Sequence, residues 1–367
     1  MRVSILGPAY PLRGGIAHHV YWLWREFNNR GQTVQVISFR KLYPSILFPG
    51  TTQLDTSNLK LDAHALQTLT PLNPATWLKA FKQVKAFSPD VIVIQWWQPF
   101  FGLLVGTLAR LFRKAGFKSI IECHNVIPHE GSPFDKLLVK FAFSAANHFI
   151  THSTRDREDL LAVVPGKQVV VCPLPSLIEF SASNTKHHDG GNTILFFGKV
   201  RKYKGLDVLL AAMPKVLKTV DVNLLIVGEF YDSIERYNRL IREHRIESHV
   251  RLDNRYVPNE QVPGIFKQAD VLVLPYLSAT QSGVARIALS NGVPIIASKT
   301  GGLSEAIKEN VTGLFFPAGD PDALAAQIVN YFTNNLGLTF RENITTGSED
   351  SSDQVINVIE EIGLSRR

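Results

Sequence analysis

Short apolar runs alternate along this chain with longer stretches in which apolar residues recur every three or four positions. The short runs predict strands, and the longer stretches predict helices between them. The predicted strands of the first half are residues 3–6, 34–39, 91–95, 119–123, 149–152 and 169–172. Those of the second half are residues 194–197, 224–227, 250–252, 271–274 and 294–297. The clearest helices are residues 16–29, 134–146 and 206–217.

Most of these strands are apolar along their whole length, which is typical of parallel strands covered by helices on both faces. Residues 181–192 lack such a pattern and are polar, so an interdomain linker is expected within residues 175–192. The predicted fold class is α/β with two doubly wound, Rossmann-like domains. We expect these domains at residues 1–178 and 191–345, followed by a C-terminal helix within residues 346–367.

Composition is that of an ordinary soluble protein. The chain has 367 residues, of which 45% are hydrophobic and 19% charged, enough apolar mass for two cores. Its two cysteines, Cys123 and Cys172, have no repeated spacing, so neither a disulfide framework nor a zinc site is expected. No signal-peptide pattern is seen, and the longest apolar stretch, residues 100–108, is shorter than a membrane span. A cytoplasmic location is therefore expected.

Basic residues are concentrated in the first half of the chain. Residues 1–175 contain 19 Lys and Arg against 10 Asp and Glu, a charge of +9, whereas the remainder has 20 against 22, a charge of −2. This excess predicts an anionic partner. No helix-turn-helix, zinc finger or aromatic RNA-binding signature is present, so nucleic acid is not the expected partner.

One basic segment, residues 74–87, has the pattern of an amphipathic helix. Its apolar positions are Trp77, Phe81 and Val84, and its basic positions are Lys79, Lys82 and Lys85. Such a helix either lies on an acidic membrane surface or packs on its own domain with solvated lysines.

A glycine-rich turn follows the first strand of each half. Gly14 and Gly15 precede the first helix, and the turn at residues 198–205 contains Lys199 and Lys204. Backbone amides at a helix start, together with lysines, bind multiply charged anions, usually phosphate. Either turn also fits a plain strand-to-helix connection. One turn in each half predicts a cleft that closes on a diphosphate from both sides.

Motifs in both halves resemble those of the family 4 retaining glycosyltransferases (glycosyl transferases group 1), which have the GT-B fold. The donor-domain motifs are Gly198-Lys199, Lys204-Gly205, Val227-Gly228-Glu229, Ala269-Asp270-Val271, Pro275, Gly292-Val293-Pro294 and Gly301-Gly302-Leu303-Ser304-Glu305. The acceptor-domain motifs are Gly14-Gly15-Ile16-Ala17, Pro89-Asp90-Val91 and His124-Asn125.

The resemblance implies a nucleotide diphosphate sugar bound in the interdomain cleft and transfer with retention of anomeric configuration. It implies no cofactor and no obligatory metal, and a C-terminal helix that crosses back to the first domain. Lys199 and Lys204 match the cations that contact the diphosphate, where fixed positive charge stabilises the departing phosphate. His124 lies where the family places a histidine that organises donor sugar and acceptor. These three residues are the predicted catalytic residues.

The chain departs from the family at a pair of glutamates that engages the donor sugar and the ribose. Counting back from Gly292 and Pro294 places these positions at Ala279 and Ile287. Donor contacts are instead expected from the turn at residues 281–284, which precedes Ile287, and from the remaining acid, Glu305. With the glycines and lysines, the predicted donor-binding residues are Gly14, Gly15, Gly198, Lys199, Lys204, Gln281, Ser282, Gly283, Val284 and Glu305.

The favoured function is transfer of a sugar to a glycan or lipid-linked acceptor in polysaccharide or glycoconjugate assembly, on the inner face of the cell membrane. The loss of both glutamates motivates the alternative of a catalytically impaired scaffold or regulator that binds a nucleotide sugar. A nicotinamide-dependent dehydrogenase is disfavoured, because no Gly-x-Gly-x-x-Gly follows the first strand of either half.

Overall fold

The computed structural model describes residues 1–44, 52–127, 133–175, 192–346 and 352–365. The chain divides into two compact units. The first contains Met1–Thr56, Lys60–Pro175 and Asp350–Arg367, and the second contains Ser57–Leu59 and Ser176–Glu349. The predicted linker lies almost wholly outside the described residues.

The first unit is built on a seven-stranded parallel sheet with the order β3-β2-β1-β4-β5-β6-β7. Its strands are β1 (Arg2–Leu6), β2 (Thr33–Phe39), β3 (Leu66–Leu69), β4 (Val91–Trp96), β5 (Lys118–Cys123), β6 (His148–Thr151) and β7 (Gln168–Val171). The helices between them are α1 (Gly15–Asn29), α2 (Pro74–Phe87), α3 (Gly102–Lys114), α4 (Pro133–Phe143) and α5 (Thr154–Val163).

Helices α2, α3 and α4 pack side by side. The rings of Phe81 and Phe112 lie 5.8 Å apart between α2 and α3. Between α3 and α4, a Cβ at Gly106 would lie 2.6 Å from the ring of Phe141, so only glycine permits this approach. We call α2, α3 and α4 the helical layer.

The second unit has a six-stranded parallel sheet with the order β10-β9-β8-β11-β12-β13. Its strands are β8 (Thr193–Phe197), β9 (Asn223–Val227), β10 (Val250–Asp253), β11 (Val271–Leu274), β12 (Ile295–Ser298) and β13 (Gly313–Phe316). Its helices are α6 (Leu206–Val216), α7 (Ile234–Glu243), α8 (Val262–Phe266), α9 (Gly283–Ser290), α10 (Leu303–Ala306), α11 (Pro321–Thr333) and α12 (Leu336–Thr346).

The last helix, α13 (Ser352–Leu364), belongs to the first unit. Arg30 of that unit donates hydrogen bonds to Asn357 and Glu360 at 2.7 and 3.2 Å. At the other end of α13, the Lys118 ammonium donates to the carbonyl of Gly363 at 3.0 Å. A cation at this position satisfies carbonyls that a helix end leaves open and complements the helix dipole.

The prediction of two doubly wound α/β domains is confirmed. The two strands that the sequence pattern missed, β3 and β13, are only four residues long. Cys123 and Cys172 are both buried free thiols. Among the described helices, none is both long and apolar enough to cross a bilayer.

The interpretation of α2 as a membrane-inserting helix is wrong in one respect. Trp77 and Val84 are 8% and 0% exposed and lie in the core of the first unit, and Phe81 is half-buried against that core. The Trp77 indole N–H donates to the carbonyl of Thr70 at 3.0 Å, which ties this side chain to its own domain. The lysines of α2 and Leu78 are among its exposed residues.

Gly205, which opens α6, provides a test of the packing in the second unit. Its φ is +64°, and a Cβ there would lie 1.9 Å from the Pro275 carbonyl oxygen. Gly205→Ala should therefore cost more than about 2 kcal/mol of unfolding free energy, because backbone strain and a clash add together. Gly292 has a similar φ of +67°, but a Cβ there would meet no atom within 4 Å. Urea unfolding should show a cost of only about 1–2 kcal/mol for Gly292→Ala, and equal losses in the two variants would contradict the clash.

Candidate functional site

Both sheets reverse their strand order beside their first strand. β1 lies between β2 and β4, and β8 lies between β9 and β11. In open α/β sheets, ligands bind beyond the carboxyl ends of the strands at such a point of reversal. The two glycine-rich turns follow β1 and β8, so each lies at the expected place in its own unit.

The first turn leaves open space around its backbone. Gly14 is the N-cap of α1 with a φ of +120°, and no side chain of the described residues caps that helix end. A Cβ at Gly14 or Gly15 would meet none of the described atoms within 4 Å. The backbone at the start of α1 is thus accessible to an anionic ligand.

The second turn brings three predicted residues together. Gly198 has a φ of +103°, and a Cβ there would lie 3.3 Å from Val284 Cγ2 and 3.4 Å from Lys204 Nζ. Gly198 follows β8, Lys204 precedes α6, and Val284 lies in the first turn of α9. A ligand that approaches the Gly198 backbone therefore meets the ammonium of Lys204.

The two predicted lysines have different environments. Lys204 is 8% exposed, and its ammonium lies 5.2 Å from the centre of the Tyr276 ring. No ion pair to a carboxylate involves Lys204 among the described residues. Burial lowers the pKa of Lys204, an effect that Tyr203 opposes and Arg201 reinforces. Lys199 is exposed, and its ammonium lies 5.4 Å from the centre of the Tyr231 ring.

The turn without glutamates ends in the N-terminus of α9. Ser282 is 8% exposed, and its hydroxyl accepts a hydrogen bond from the Ala285 N–H at 3.3 Å. This hydroxyl is therefore engaged as the cap of α9. Gln281, Gly283 and Val284 are half-buried beside it.

At the two positions that the family fills with glutamate, this chain has Ala279 and Ile287. Ala279 is buried, and its carbonyl packs so closely on Gly301 that a Cβ there would lie 1.6 Å from the oxygen. The remaining acid, Glu305, is exposed in the first turn of α10, where a carboxylate complements the helix dipole.

In the first unit, His124 follows β5 and is held at its backbone. Its N–H donates to the Trp96 carbonyl at 2.8 Å, which extends the pairing of β4 and β5 by one residue. The half-buried ring lies 4.8 Å from the ring of His19 and 5.1 Å from that of His152, measured between centroids.

A buried carboxylate links these histidines. Glu122 is 0% exposed, and its Oε1 lies 2.7 Å from His19 Nε2 and 3.4 Å from His152 Nε2. Gln95 donates from Nε2 to Glu122 Oε2 at 2.7 Å, and Gln95 Oε1 lies 2.6 Å from His124 Nε2. We call these five residues the Glu122 network.

The charges of the network shift two pKa values. Burial disfavours the Glu122 carboxylate, but its charge interaction and hydrogen bond with His19, reinforced by His152, hold its pKa well below the ordinary value. Burial lowers the pKa of His124 well below its ordinary value, with smaller contributions from His19 and His152 that Glu122 opposes. Glu122 is therefore ionised and His124 neutral at physiological pH.

The sequence prediction included His124 but missed the rest of the network. A polar residue inside each of two otherwise apolar strands, Gln95 in β4 and Glu122 in β5, was the available signal. His19, His124 and His152 each offer a nitrogen, and these atoms lie within 4.8 Å of one another, the described group that most resembles a metal site. The sequence predicted no metal.

Each unit matches a known protein family. Residues 14–175 match the family described as "Glycosyl transferase 4-like domain", and residues 191–334 match the family described as "Glycosyl transferases group 1". An uncharacterized glycosyltransferase of Methanocaldococcus jannaschii is 33% identical over 141 residues, 37% of this chain and 35% of that protein. The gpi3 subunit of phosphatidylinositol N-acetylglucosaminyltransferase of Schizosaccharomyces pombe is 26% identical over 241 residues, 63% of this chain and 52% of that protein. The chain thus spans about a third to a half of the length of these relatives.

Solved structures share the fold over the whole chain. Sucrose-phosphate synthase of Thermosynechococcus elongatus matches with a TM-score of 0.76 and 18% identity, covering 100% of both chains. HepE of Anabaena, in complex with UDP and glucose, matches with a TM-score of 0.74 and 15% identity, covering 98% of this chain and 100% of that one.

The fold is therefore GT-B, the two-domain architecture of many glycosyltransferases. With both of its halves matched, the chain belongs to the group 1, family 4 glycosyltransferases.

The lowered pKa of His124 predicts how stability depends on pH. An unfolded histidine titrates near about 6.5, whereas folded His124 stays neutral to a lower pH. The unfolded chain thus binds the proton first, and stability is lost as pH falls below that value, by up to about 1.4 kcal/mol per unit. The pKa of Glu122 is shifted in the same direction, but the stability that depends on Glu122 is lost only as pH falls toward the ordinary glutamate pKa of about 4.3.

Urea unfolding at pH 7.5 and 5.5 isolates the contribution of His124. Between pH 7.5 and 5.5 the wild type should lose about 1 kcal/mol more unfolding free energy than His124→Gln loses. Parallel pH dependence in the two proteins would contradict a neutral His124 in the folded protein.

Proposed function

We propose that this protein transfers a sugar from a nucleotide diphosphate sugar to a glycan or lipid-linked acceptor, with retention of anomeric configuration. HepE, which shares the fold, was crystallised with UDP and glucose, and the name of the gpi3 relative specifies a phosphatidylinositol acceptor. Both support a nucleotide-sugar donor and a lipid-linked acceptor for this chain.

The observation that carries the proposal is the environment of Lys204. Buried charges are ordinarily paired, because removing an ion from water is costly. Lys204 is 8% exposed beside Gly198, where a Cβ would lie 3.4 Å from the Lys204 ammonium, and it has no carboxylate ion pair among the described residues. A diphosphate supplies the missing negative charge, and the helix start that carries Val284 adds backbone donors.

The proposed roles follow from the chemistry of the step. The bond between the anomeric carbon and a phosphate oxygen breaks as a bond to an acceptor hydroxyl forms, so negative charge grows on the departing diphosphate. Lys204 stabilises this charge directly. Lys199, exposed on the same turn, adds a second and more solvated cation. Gly14 and Gly15 permit close approach of a ligand to the start of α1.

His124 contributes a neutral ring at the carboxyl end of β5 that binds a sugar hydroxyl. The reaction needs no cofactor and no divalent metal in this proposal, because the fixed cations take the place of a metal at the diphosphate. Gln281 and the backbone of Gly283 supply neutral contacts to the donor in place of the absent glutamates.

The alternative of a scaffold that binds a nucleotide sugar without turning it over is motivated by Ala279 and Ile287. Ligand-induced thermal stabilisation with a panel of nucleotide diphosphate sugars tests donor binding, since a ligand at 100 times its dissociation constant stabilises by about 2.7 kcal/mol. Turnover with glycan and lipid-linked acceptors then separates the two functions, and the anomeric signal of the product in NMR reports retention or inversion. Absence of stabilisation by every donor would refute both.

Replacement of Lys204 tests the diphosphate contact. Lys204→Ala should lower transfer by roughly two to three orders of magnitude, the scale of one preorganised charge contact to a leaving group. Lys199→Ala should lower it too, by less, because Lys199 is solvated. The matched control is Lys202→Ala, an exposed lysine of the same turn that should leave transfer unchanged.

Assays with excess EDTA belong to the same experiment. Full wild-type transfer in EDTA is expected, and dependence on magnesium or manganese would overturn metal independence. Unchanged turnover in Lys204→Ala would show that the diphosphate binds elsewhere.

A lipid-linked acceptor requires contact with a membrane, and we propose the helical layer as the docking surface. Lys79, Lys82 and Lys85 of α2 are exposed. On α4, Phe134 and Leu137 are 77% and 67% exposed, with two further exposed lysines beside them. The lysines attract anionic headgroups, while the apolar side chains of α4, rather than Trp77 and Val84, enter the interface.

Sedimentation with anionic vesicles at low and high salt tests this surface. Reversal of Lys79, Lys82 and Lys85 to glutamate should weaken binding by two orders of magnitude or more, at about 1 kcal/mol per lysine. The double variant with Phe134→Ser and Leu137→Ser should weaken the part of the vesicle binding that persists at high salt.

The matched control reverses three exposed lysines of the second unit, Lys215, Lys218 and Lys299. This variant has the same net charge as the first triple variant and should bind vesicles like the wild type. Equal losses in both triple variants would show only a net-charge effect, and no binding by the wild type at low salt would refute membrane docking.

A further inference from the structure

The Glu122 network places an ionised carboxylate where the fold has no need of one. β5 is buried at five of its six positions, and Glu122 is 0% exposed among them. A buried carboxylate is destabilising unless its oxygens accept several hydrogen bonds, and an apolar residue of similar size would serve the core as well. Glu122 therefore calls for an explanation beyond packing.

Hydrogen-bonding rules determine the proton positions along the network. An ionised carboxylate only accepts, so Gln95 must turn its amide NH2 toward Glu122 Oε2, 2.7 Å away. The Gln95 oxygen then faces His124 Nε2 at 2.6 Å and can only accept. His124 must accordingly carry its proton on Nε2, and its Nδ1 holds the lone pair.

Of the other two histidines, His19 fixes the carboxylate. His19 Nε2 donates to Glu122 Oε1 at 2.7 Å, and both residues are buried. His152 Nδ1 donates to the Cys172 carbonyl at 2.9 Å, and its Nε2 lies 3.4 Å from the same Glu122 oxygen. Glu122 is thus held on both oxygens, with Gln95 as its link to His124.

We infer that Glu122 is a positioning residue for the transfer reaction: through Gln95 it holds the His124 ring in one orientation and in one tautomer, with the proton on Nε2. The inference rests on the proposed function for the identity of the reaction. A carboxylate that acts on a histidine through its hydrogen bonds fixes the tautomer and orientation of the ring, as in catalytic triads.

A metal ion is the competing use of these residues. His19, His124 and His152 have nitrogens within 4.8 Å of one another. The Nε2 atoms of His19 and His124, however, already lie at hydrogen-bond distance from Glu122 and Gln95. An ion bound through either atom would have to displace that hydrogen bond and its proton.

The first test observes the proton directly and needs no substrate. In the full chain labelled with 15N-histidine, His124 should show a protonated Nε2 whose hydrogen exchanges slowly with water. Assignment comes from loss of the signal in His124→Gln. Gln95→Met should make this proton exchange fast, because it removes the acceptor. A proton on Nδ1 in the wild type, or a zinc-dependent loss of the Nε2 proton, would overturn the inference.

The second test measures transfer. Gln95→Met should lower kcat by about 10–100-fold with little change in the KM for the donor, the range known for residues that orient metal-bound histidines. Glu122→Gln should retain more activity than Gln95→Met, because its oxygen still accepts from Gln95 while His19 takes the other proton position. The reverse order would contradict the relay through Gln95.

Gln98→Met is the matched control. Gln98 accepts a hydrogen bond from the Tyr43 hydroxyl at 2.9 Å in the same unit and lies outside the network. It should retain the kcat of the wild type, and thermal unfolding confirms that each variant is folded. If no donor or acceptor supports turnover, the proposed function fails, while the NMR result still decides the proton position. Wild-type kcat in folded Gln95→Met overturns the positioning role.

Discussion

The parallel pairing of the central strands determines where the candidate functional residues of this chain lie. β1 pairs with β2 and β4, and β8 with β9 and β11, all in parallel. Parallel strands end at one edge, and connections on either side of the first strand leave in opposite directions there. The glycine turns after β1 and β8 and the histidine after β5 all lie at these edges, because such edges are where a covered sheet exposes backbone and side chains to a ligand.

Each unit contains a buried charge at its candidate site, and the two charges are treated in opposite ways. Glu122 receives hydrogen bonds from His19 and Gln95, so its charge is satisfied inside the protein. Lys204 has an aromatic ring at 5.2 Å and no carboxylate ion pair among the described residues. A charge satisfied internally serves to orient its neighbours, whereas a buried cation left without a counter-ion provides binding energy for an anion. The first arrangement suits positioning and the second suits a diphosphate.

The sequence predicted the architecture because parallel strands covered on both faces must be apolar along their length. It also predicted both glycine turns, because each turn lies between a clearly patterned strand and a clearly patterned helix. It did not predict the helical layer's outer surface, because Trp77 and Phe134 are equally apolar in a sequence and only packing decides which one is buried. Nor did it predict the Glu122 network. Gln95 and His152 are 57 residues apart in the chain, and the pairing of β4, β5 and β6 that unites them is a property of the whole sheet.

Because the two glutamates are absent, other residues must stabilise and orient the donor in the proposed reaction. Lys204 attracts the diphosphate of the donor and of the product alike, so part of its interaction is uniform and does not accelerate transfer. Only the charge that grows on the phosphate as the bond breaks is stabilised differentially. With Ala279 and Ile287 in place of carboxylates, no acid at these positions holds the sugar as it becomes cationic. The orientation of the sugar then depends more heavily on neutral groups such as Gln281 and His124. A histidine that must keep one tautomer in one orientation gains most from a network that forbids the other tautomer, and this is the physical reason that we propose for a carboxylate in β5.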